Sequence, residues 1–242
     1  LREQFGTMTK PFHPGGAAKA GLMSALMAKE GFTASKRALE APRGLIQVIS
    51  DKCDWSEITE GLGERWEAAL NTYKPFACGI VIHPSIDGCV QLRDQHGVKP
   101  DQIEKVLLKV HPLVIELTGK KTPQKGLEGK FSVYHSCAVG FLFGKAGEHE
   151  YSDEVVQSAE VIAIRDRVEA VIDENMDEAA ADVTVITKDG KTHHVLVEHS
   201  IGSLERPMSN EQLKAKFMDQ AGEVIGRPAA EEAWTKAMQF GR

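Results

Sequence analysis

Strand-forming patterns in this 242-residue chain are confined to its middle, with helix-forming sequence on both sides. A parallel, doubly wound sheet needs strands that alternate regularly with helices, and that alternation is missing, so an α+β fold with a small antiparallel sheet is expected. The strand segments are Ile103–Leu117, Val168–Ile172, Asp182–Thr187 and His193–Val197. Asp189-Gly190 between the last two is a favoured two-residue hairpin turn, which predicts that they pair back on each other. No GxGxxG or Walker-type lysine loop is present, and no repeat of 20–50 residues.

Helices are predicted elsewhere. Ala17–Lys29 is built of strong helix formers and stops at Gly31. Thr33 is a plausible N-cap for a helix over Ala34–Leu39, ahead of Pro42. Gly44–Leu70 mixes short helical pieces with Gly61 and Gly63. Further helices are expected over Ser85–His96, Lys130–Lys145, Asp153–Arg165 and Asn210–Phe217, and Pro228 sits at the first turn of the last one.

Two segments carry the chemistry: Gly6–Gly21, GTMTKPFHPGGAAKAG, and Tyr73–Gly88, YKPFACGIVIHPSIDG. Each puts a lysine, a histidine, prolines and small residues into what reads as a loop leading to a helix. Ordered loops on a rigid scaffold are where function concentrates. Lysine holds a carboxylate as a point charge, and histidine exchanges a proton near neutral pH. The pairs Lys10/His13 and Lys74/His83 therefore point to a site for a substrate with several carboxylates. Gly15-Gly16 ahead of a helix would offer free backbone N–H groups to an anion, with Thr7 and Thr9 adding hydroxyls.

Structural readings stand beside these. Lys10 could be solvated and His13 a hydrogen bonder at a helix entry, while Lys74-Pro75 and His83-Pro84 could simply begin and end a turn. The helix over Lys130–Lys145 carries Ser132, Tyr134, His135, Ser136 and Cys137 among apolar residues. Tyr134 is either a core tyrosine or a donor projecting into a cleft. His193, His194 and His199 read as exposed hairpin residues, not metal ligands. Cys78 and Cys89 read as buried thiols, and four scattered cysteines without a CxxC pair fit reduced thiols better than a disulfide frame or a zinc site.

The net charge of −6 argues against a general nucleic-acid binder, though a local positive pocket for small anions remains compatible with it. No apolar run approaches the roughly 20 residues of a membrane helix and no signal-peptide pattern is visible, so a cytoplasmic location is expected. Residue 1 is Leu, which reads as a processed, split or truncated chain.

At these segments the chain is similar to the MmgE/PrpD family. The residues that carry the resemblance are Gly6-Thr7-Met8-Thr9-Lys10-Pro11-Phe12-His13, Lys74-Pro75-Phe76, His83-Pro84-Ser85-Ile86-Asp87, Lys130-Phe131-Ser132-Val133-Tyr134, Asp189-Gly190, and Pro207-Met208-Ser209 leading to Lys216-Phe217. Their order and spacing run the length of the chain. The resemblance implies a cofactor-independent, metal-free enzyme in which a mainly helical domain (1–72 and 203–242) carries an inserted α+β lid (73–202). It implies a cleft site with Lys10 and Lys74 as active-site lysines and His13, His83 and Tyr134 beside them.

The implied chemistry is proton transfer next to carboxylates. The leading expectation is a dehydratase-like lyase acting on a citrate-, 2-methylcitrate- or aconitate-like polycarboxylate, with an epimerase or isomerase as the alternative. Lys10 and Lys74 would hold carboxylates, His13 or His83 would move a proton, and Tyr134 would donate to the substrate. Thr7, Thr9, Gly15, Gly16 and Ser132 would line the substrate. Gly79 stands five residues after Lys74, where decarboxylating members carry a histidine, which disfavours decarboxylation. Family members are nearly twice this long, so the expected partners are a second copy, a chain supplying the N-terminal helices, or both; the remaining alternative is a non-catalytic fragment.

Overall fold

The computed structural model describes residues 2–4 and 7–240, which form two compact units, Thr7–Asn71 and the chain from Thr72 onward. No helix among the described residues is long and apolar enough to cross a membrane.

The first unit contains α1 (Thr9–Lys29), α2 (Leu45–Ile49) and α3 (Ser56–Thr59). The expected loop before Ala17 is helical instead. Pro11 falls in the first turn, where its missing N–H leaves no bond unmade, and the alanine-rich run carries the helix through Pro14, Gly15 and Gly16. Gly31, at φ +89°, ends it by donating its N–H to the Ala28 carbonyl. The helix expected over Ala34–Leu39 is absent, and the segment forms turns. There Ser35 Oγ accepts the Arg37 N–H at 3.2 Å, a local bond that competes with helix, and Ala38 and Leu39 carbonyls accept from Leu45 and Ile46. Among the described residues of this unit only Gly44 is buried.

The second unit is a helix layer on a four-stranded sheet. Its elements are α4 (His83–Asp94), β1 (Ile103–Val110), α5 (Pro112–Thr118), α6 (Gly126–Gly129), α7 (Val133–Phe143), α8 (Asp153–Val156), α9 (Ala159–Arg165), β2 (Val168–Ile172), β3 (Ala181–Thr187), β4 (Thr192–Val197), α10 (Asn210–Ile225) and α11 (Arg227–Gln239). The sheet order is β2-β1-β3-β4. β1 pairs antiparallel with β3, and β3 with β4 across the Asp189-Gly190 turn. β1 and β2 are parallel, in the register Val106↔Val168, so the sheet is mixed and not wholly antiparallel as expected. A parallel pair needs a long crossover, and α5 to α9 supply it.

β1 also stops earlier than its apolar pattern predicted. Pro112 opens a helix, and His111 Nδ1 caps that helix by accepting the Leu113 N–H at 3.1 Å. Val106, Leu108 and Val110 of β1 and Val183 and Val185 of β3 turn one face inward, while Lys105 and Lys109 point the other way. α4 and α7 cover the inner face. The close approach of α4 is set by Gly88, where an added Cβ would lie 2.6 Å from Val183 Cγ2.

α7 is buried from Val133 to Phe141, which resolves the odd mixture of side chains in its sequence. It is a central helix, and most of its polar groups are met internally: Ser132 Oγ caps it by accepting the His135 N–H at 3.1 Å, Ser136 Oγ bonds the Tyr151 hydroxyl at 2.9 Å, and His135 Nε2 lies 2.9 Å from the Glu150 carbonyl oxygen, while His135 Nδ1 has no partner among the described residues.

Candidate active site

Lys74 and His83 line one cavity of about 320 Å³ within the second unit, together with Tyr73, His199, Ser200 and Glu205. Lys74 lies in the loop before a 3-10 turn, Ile80–Ile82, and His83 begins α4 directly after that turn, with Pro84 in the first helical turn. This local geometry folds the segment between them back, so that both side chains reach one space. Lys74 Nζ donates to the Cys78 carbonyl at 3.2 Å and forms no ion pair among the described residues.

His83 is 2% exposed, with its ring edge-on to Phe76 at 5.3 Å between centroids. Burial is the main reason its pKa falls to about 4, and the Lys74 and Lys216 ammonium groups push the same way, against a contact with the Cys78 backbone. The imidazole is thus neutral at physiological pH. Its Nε2 is buried without a hydrogen-bond partner among the described residues. A neutral, buried, unpartnered nitrogen beside an ammonium is equipped to exchange a proton with a bound anion.

The far wall of the cavity, residues 199–205, is held by Asp87, one turn into α4. Its Oδ2 accepts from the Ile201 N–H at 2.9 Å and from Arg206 Nη1 at 2.8 Å, and Oδ1 accepts from Gln91 Nε2 at 3.1 Å. Arg206 also donates to the His199 carbonyl at 2.8 Å. The segment then passes so close to the Lys74 loop that only glycine fits: Gly202 has φ +85°, and an added Cβ would lie 2.5 Å from the Tyr73 carbonyl oxygen. From the other side, Lys216 on α10 donates through Nζ to the Lys74 carbonyl. Burial first, and then the Lys74 charge, lower the pKa of Lys216.

Tyr134 is not among the residues lining this cavity. It stands in the first turn of α7, 8% exposed, with Lys121 Nζ 5.7 Å from its ring centroid, and burial raises its pKa so that the phenol keeps its proton. Ser132 is fully buried, and its oxygen serves as the α7 cap. Thr7, Thr9, Lys10, His13, Gly15 and Gly16 belong to the first unit. From Thr9 onward they lie within α1, where Lys10 and His13, three residues apart, share one face. The anion site expected at Gly15-Gly16 loses its stated basis, because those N–H groups are interior to a helix that starts at Thr9.

Asp87, Arg206 and Lys216 had no assigned role in the sequence reading, and His199 was read as an exposed hairpin residue. Asp87 and Arg206 are 119 positions apart, so no local spacing could pair them. Cys78 borders the site but is no nucleophile: burial pushes its thiol up to about 12 despite Lys74 and Lys130 nearby.

A helical cap of this kind over a mixed sheet, with a lysine and a neutral histidine at one cavity, accompanies matches to two family models. The MmgE/PrpD C-terminal domain matches residues 76–239, and the MmgE/PrpD N-terminal domain matches residues 1–58. The chain belongs to the MmgE/PrpD family. Among curated relatives, it is 24% identical to a cis-aconitate decarboxylase of Aspergillus terreus, over 96% of this chain and 52% of that protein. It is 22% identical to the Mus musculus cis-aconitate decarboxylase, over 95% of this chain and 49% of the relative. It is 25% identical to the 2-methylcitrate dehydratase of Escherichia coli (strain K12), over 81% of this chain and 44% of that enzyme. The chain spans about half the length of the curated relatives it matches.

Proposed function

We propose that this protein acts as a lyase on a citrate-, 2-methylcitrate- or aconitate-like polycarboxylate, with dehydration as the favoured reaction and no cofactor. The observation that carries this reading is the Lys74 ammonium and the neutral His83 imidazole, with its unpartnered Nε2, at one cavity. Lys74 binds a carboxylate and stabilises the enolate-like charge that grows as the adjacent carbon loses its proton. His83 takes or returns that proton through Nε2. Tyr134, protonated, donates to the substrate or the leaving hydroxyl. The names of the relatives, a decarboxylase and a dehydratase, support the broader lyase class. Dehydration is favoured over decarboxylation because Gly79, five residues after Lys74, has no side chain where decarboxylating members of the family carry a histidine.

Turnover of 2-methylcitrate, citrate and aconitate tests the assignment. Lys74→Ala and Tyr134→Phe are each expected to lower kcat/KM by about 100-fold or more. Unchanged rates in both variants would strip Lys74 and Tyr134 of their roles, and deuterium uptake from solvent without loss of water would favour the epimerase alternative.

The same reading gives α1 a protein partner, either a second copy or a chain carrying further helices of the family. None of its residues is buried, and Phe12, Leu22 and Leu26 are exposed. Size-exclusion chromatography with native mass spectrometry is expected to show an assembly larger than one chain.

A further inference from the structure

A second cavity in the same unit, of about 510 Å³, opens where the ends of α4 and α7 meet α10 and the segment after Ile201. It shares the Pro75 and Ile201 walls with the Lys74–His83 cavity but contains neither Lys74 nor His83. Its volume falls in the range that takes small organic molecules. Phe76, Val90, Ile201, Met208 and Ala215 give it a largely apolar lining.

The cations at its wall are directly paired, with one exception. Arg206 is paired with Asp87 at 2.8 Å, Lys145 with Asp219 at 3.2 Å and with Glu150 at 3.3 Å, and Asp94 with Arg93. Lys216 alone has no carboxylate within ion-pair distance among the described residues, and its ammonium touches the Lys74 carbonyl. The Gln91, Gln212 and Gln220 amides complete the polar part of the lining. Only the Glu148 charge, beyond ion-pair distance, acts against the lowered pKa of Lys216, and one cation without a direct carboxylate partner in a largely apolar hollow suits a single negative charge on an apolar body. A polycarboxylate would bring two or three charges for one partner and leave the rest desolvated.

We propose that this cavity is a second binding site, for an aliphatic monocarboxylate, with Lys216 holding the carboxylate and the Phe76–Val90–Met208 wall taking the chain. It is separate from the site assigned to the polycarboxylate and does not depend on that assignment. A compound bound here lies one residue from Lys74, through Pro75, which lines both cavities.

Calorimetric titration of the full chain with octanoate tests the site. Octanoate is expected to bind with a Kd of roughly 0.1–1 mM, while octylammonium and octanol bind at least tenfold more weakly. Lys216→Met is expected to raise the octanoate Kd about tenfold, and Lys74→Ala to leave it within twofold. Because Lys216→Met also removes a contact to the Lys74 loop, Ala215→Phe, which fills the hollow without touching a charge, is measured beside it and is expected to abolish binding. The proposal is overturned if octanoate does not bind, if octanol or octylammonium binds equally well, if Ala215→Phe binds as well as the parent, or if Lys74→Ala loses octanoate.

Discussion

Asp87 is the residue on which the cavity wall depends most directly, and its removal has a size that follows from its contacts. Asp87→Ala strips the acceptor from the Ile201 N–H, the Arg206 guanidinium and the Gln91 amide at once. Leaving the partly buried Ile201 N–H without a partner costs about 1–3 kcal/mol. The Arg206 side chain is 43% exposed, so losing its counter-charge adds only up to about 1 kcal/mol in a well-hydrated setting. The expected total is about 1–4 kcal/mol. With a urea dependence of about 2 kcal/mol/M, this lowers the unfolding midpoint by about 0.5–2 M in a titration followed by far-UV circular dichroism. Asp87→Asn keeps one acceptor oxygen but loses the charge, and about half that shift is expected. Both variants release residues 199–205, so citrate should bind more weakly in each. A midpoint within about 0.3 M of the parent for Asp87→Ala, with citrate affinity unchanged, would refute the claim that this carboxylate fixes the wall.

Further outcomes follow from the same structure. His83 has a folded pKa of about 4 against about 6.5 unfolded, so its stabilising contribution is present above pH 6.5 and is lost as pH falls toward 4. The loss is on the order of 3 kcal/mol. His135, also lowered by burial, adds loss of the same sign, so the parent-minus-His83→Gln difference in stability across pH 7 to 4 isolates His83; a flat difference would contradict its burial as the neutral form. Gly202→Ala meets both the positive φ and the Tyr73 carbonyl, and is expected to cost about 2 kcal/mol or more and to weaken citrate binding in parallel; a midpoint shift under about 0.2 M would refute it. A thiol reagent at pH 8 should label Cys53, which is exposed, while Cys78, Cys89 and Cys137 react only after unfolding; prompt labelling of a second thiol in native protein would show that the core is open.

What could be read from the residues alone, and what could not, divides along physical lines. The hairpin at Asp189-Gly190 and the α+β character were legible because turn chemistry and period-two alternation are local signals. The parallel pairing of β1 with β2 was not, since strand direction in a sheet is decided by where the intervening helices pack. The early start of α1 was missed because paired glycines and prolines read as loop, although Pro11 in a first turn is compatible with helix. The stop of β1 had a visible signal in Pro112 that the apolar run outweighed. At the site, the adjacency of Lys74 and His83 was legible from one segment. The neutrality of His83 was not, because it comes first from burial, then from the Lys74 charge, with a smaller push from Lys216 on a helix distant in sequence.

The order β2-β1-β3-β4 has a consequence for biosynthesis. Among the four strands of this sheet β1 is made first, and both of its neighbours are encoded later, the nearer one beginning at Val168. At ribosomal speeds, roughly 60 residues take on the order of 3–12 s, during which an apolar ribbon waits with both edges unsatisfied. Lys105 and Lys109 on its outward side are the kind of charged guards that discourage a nascent edge from joining the wrong chain. Replacing them with threonine would leave the finished sheet nearly unchanged while making its birth hazardous.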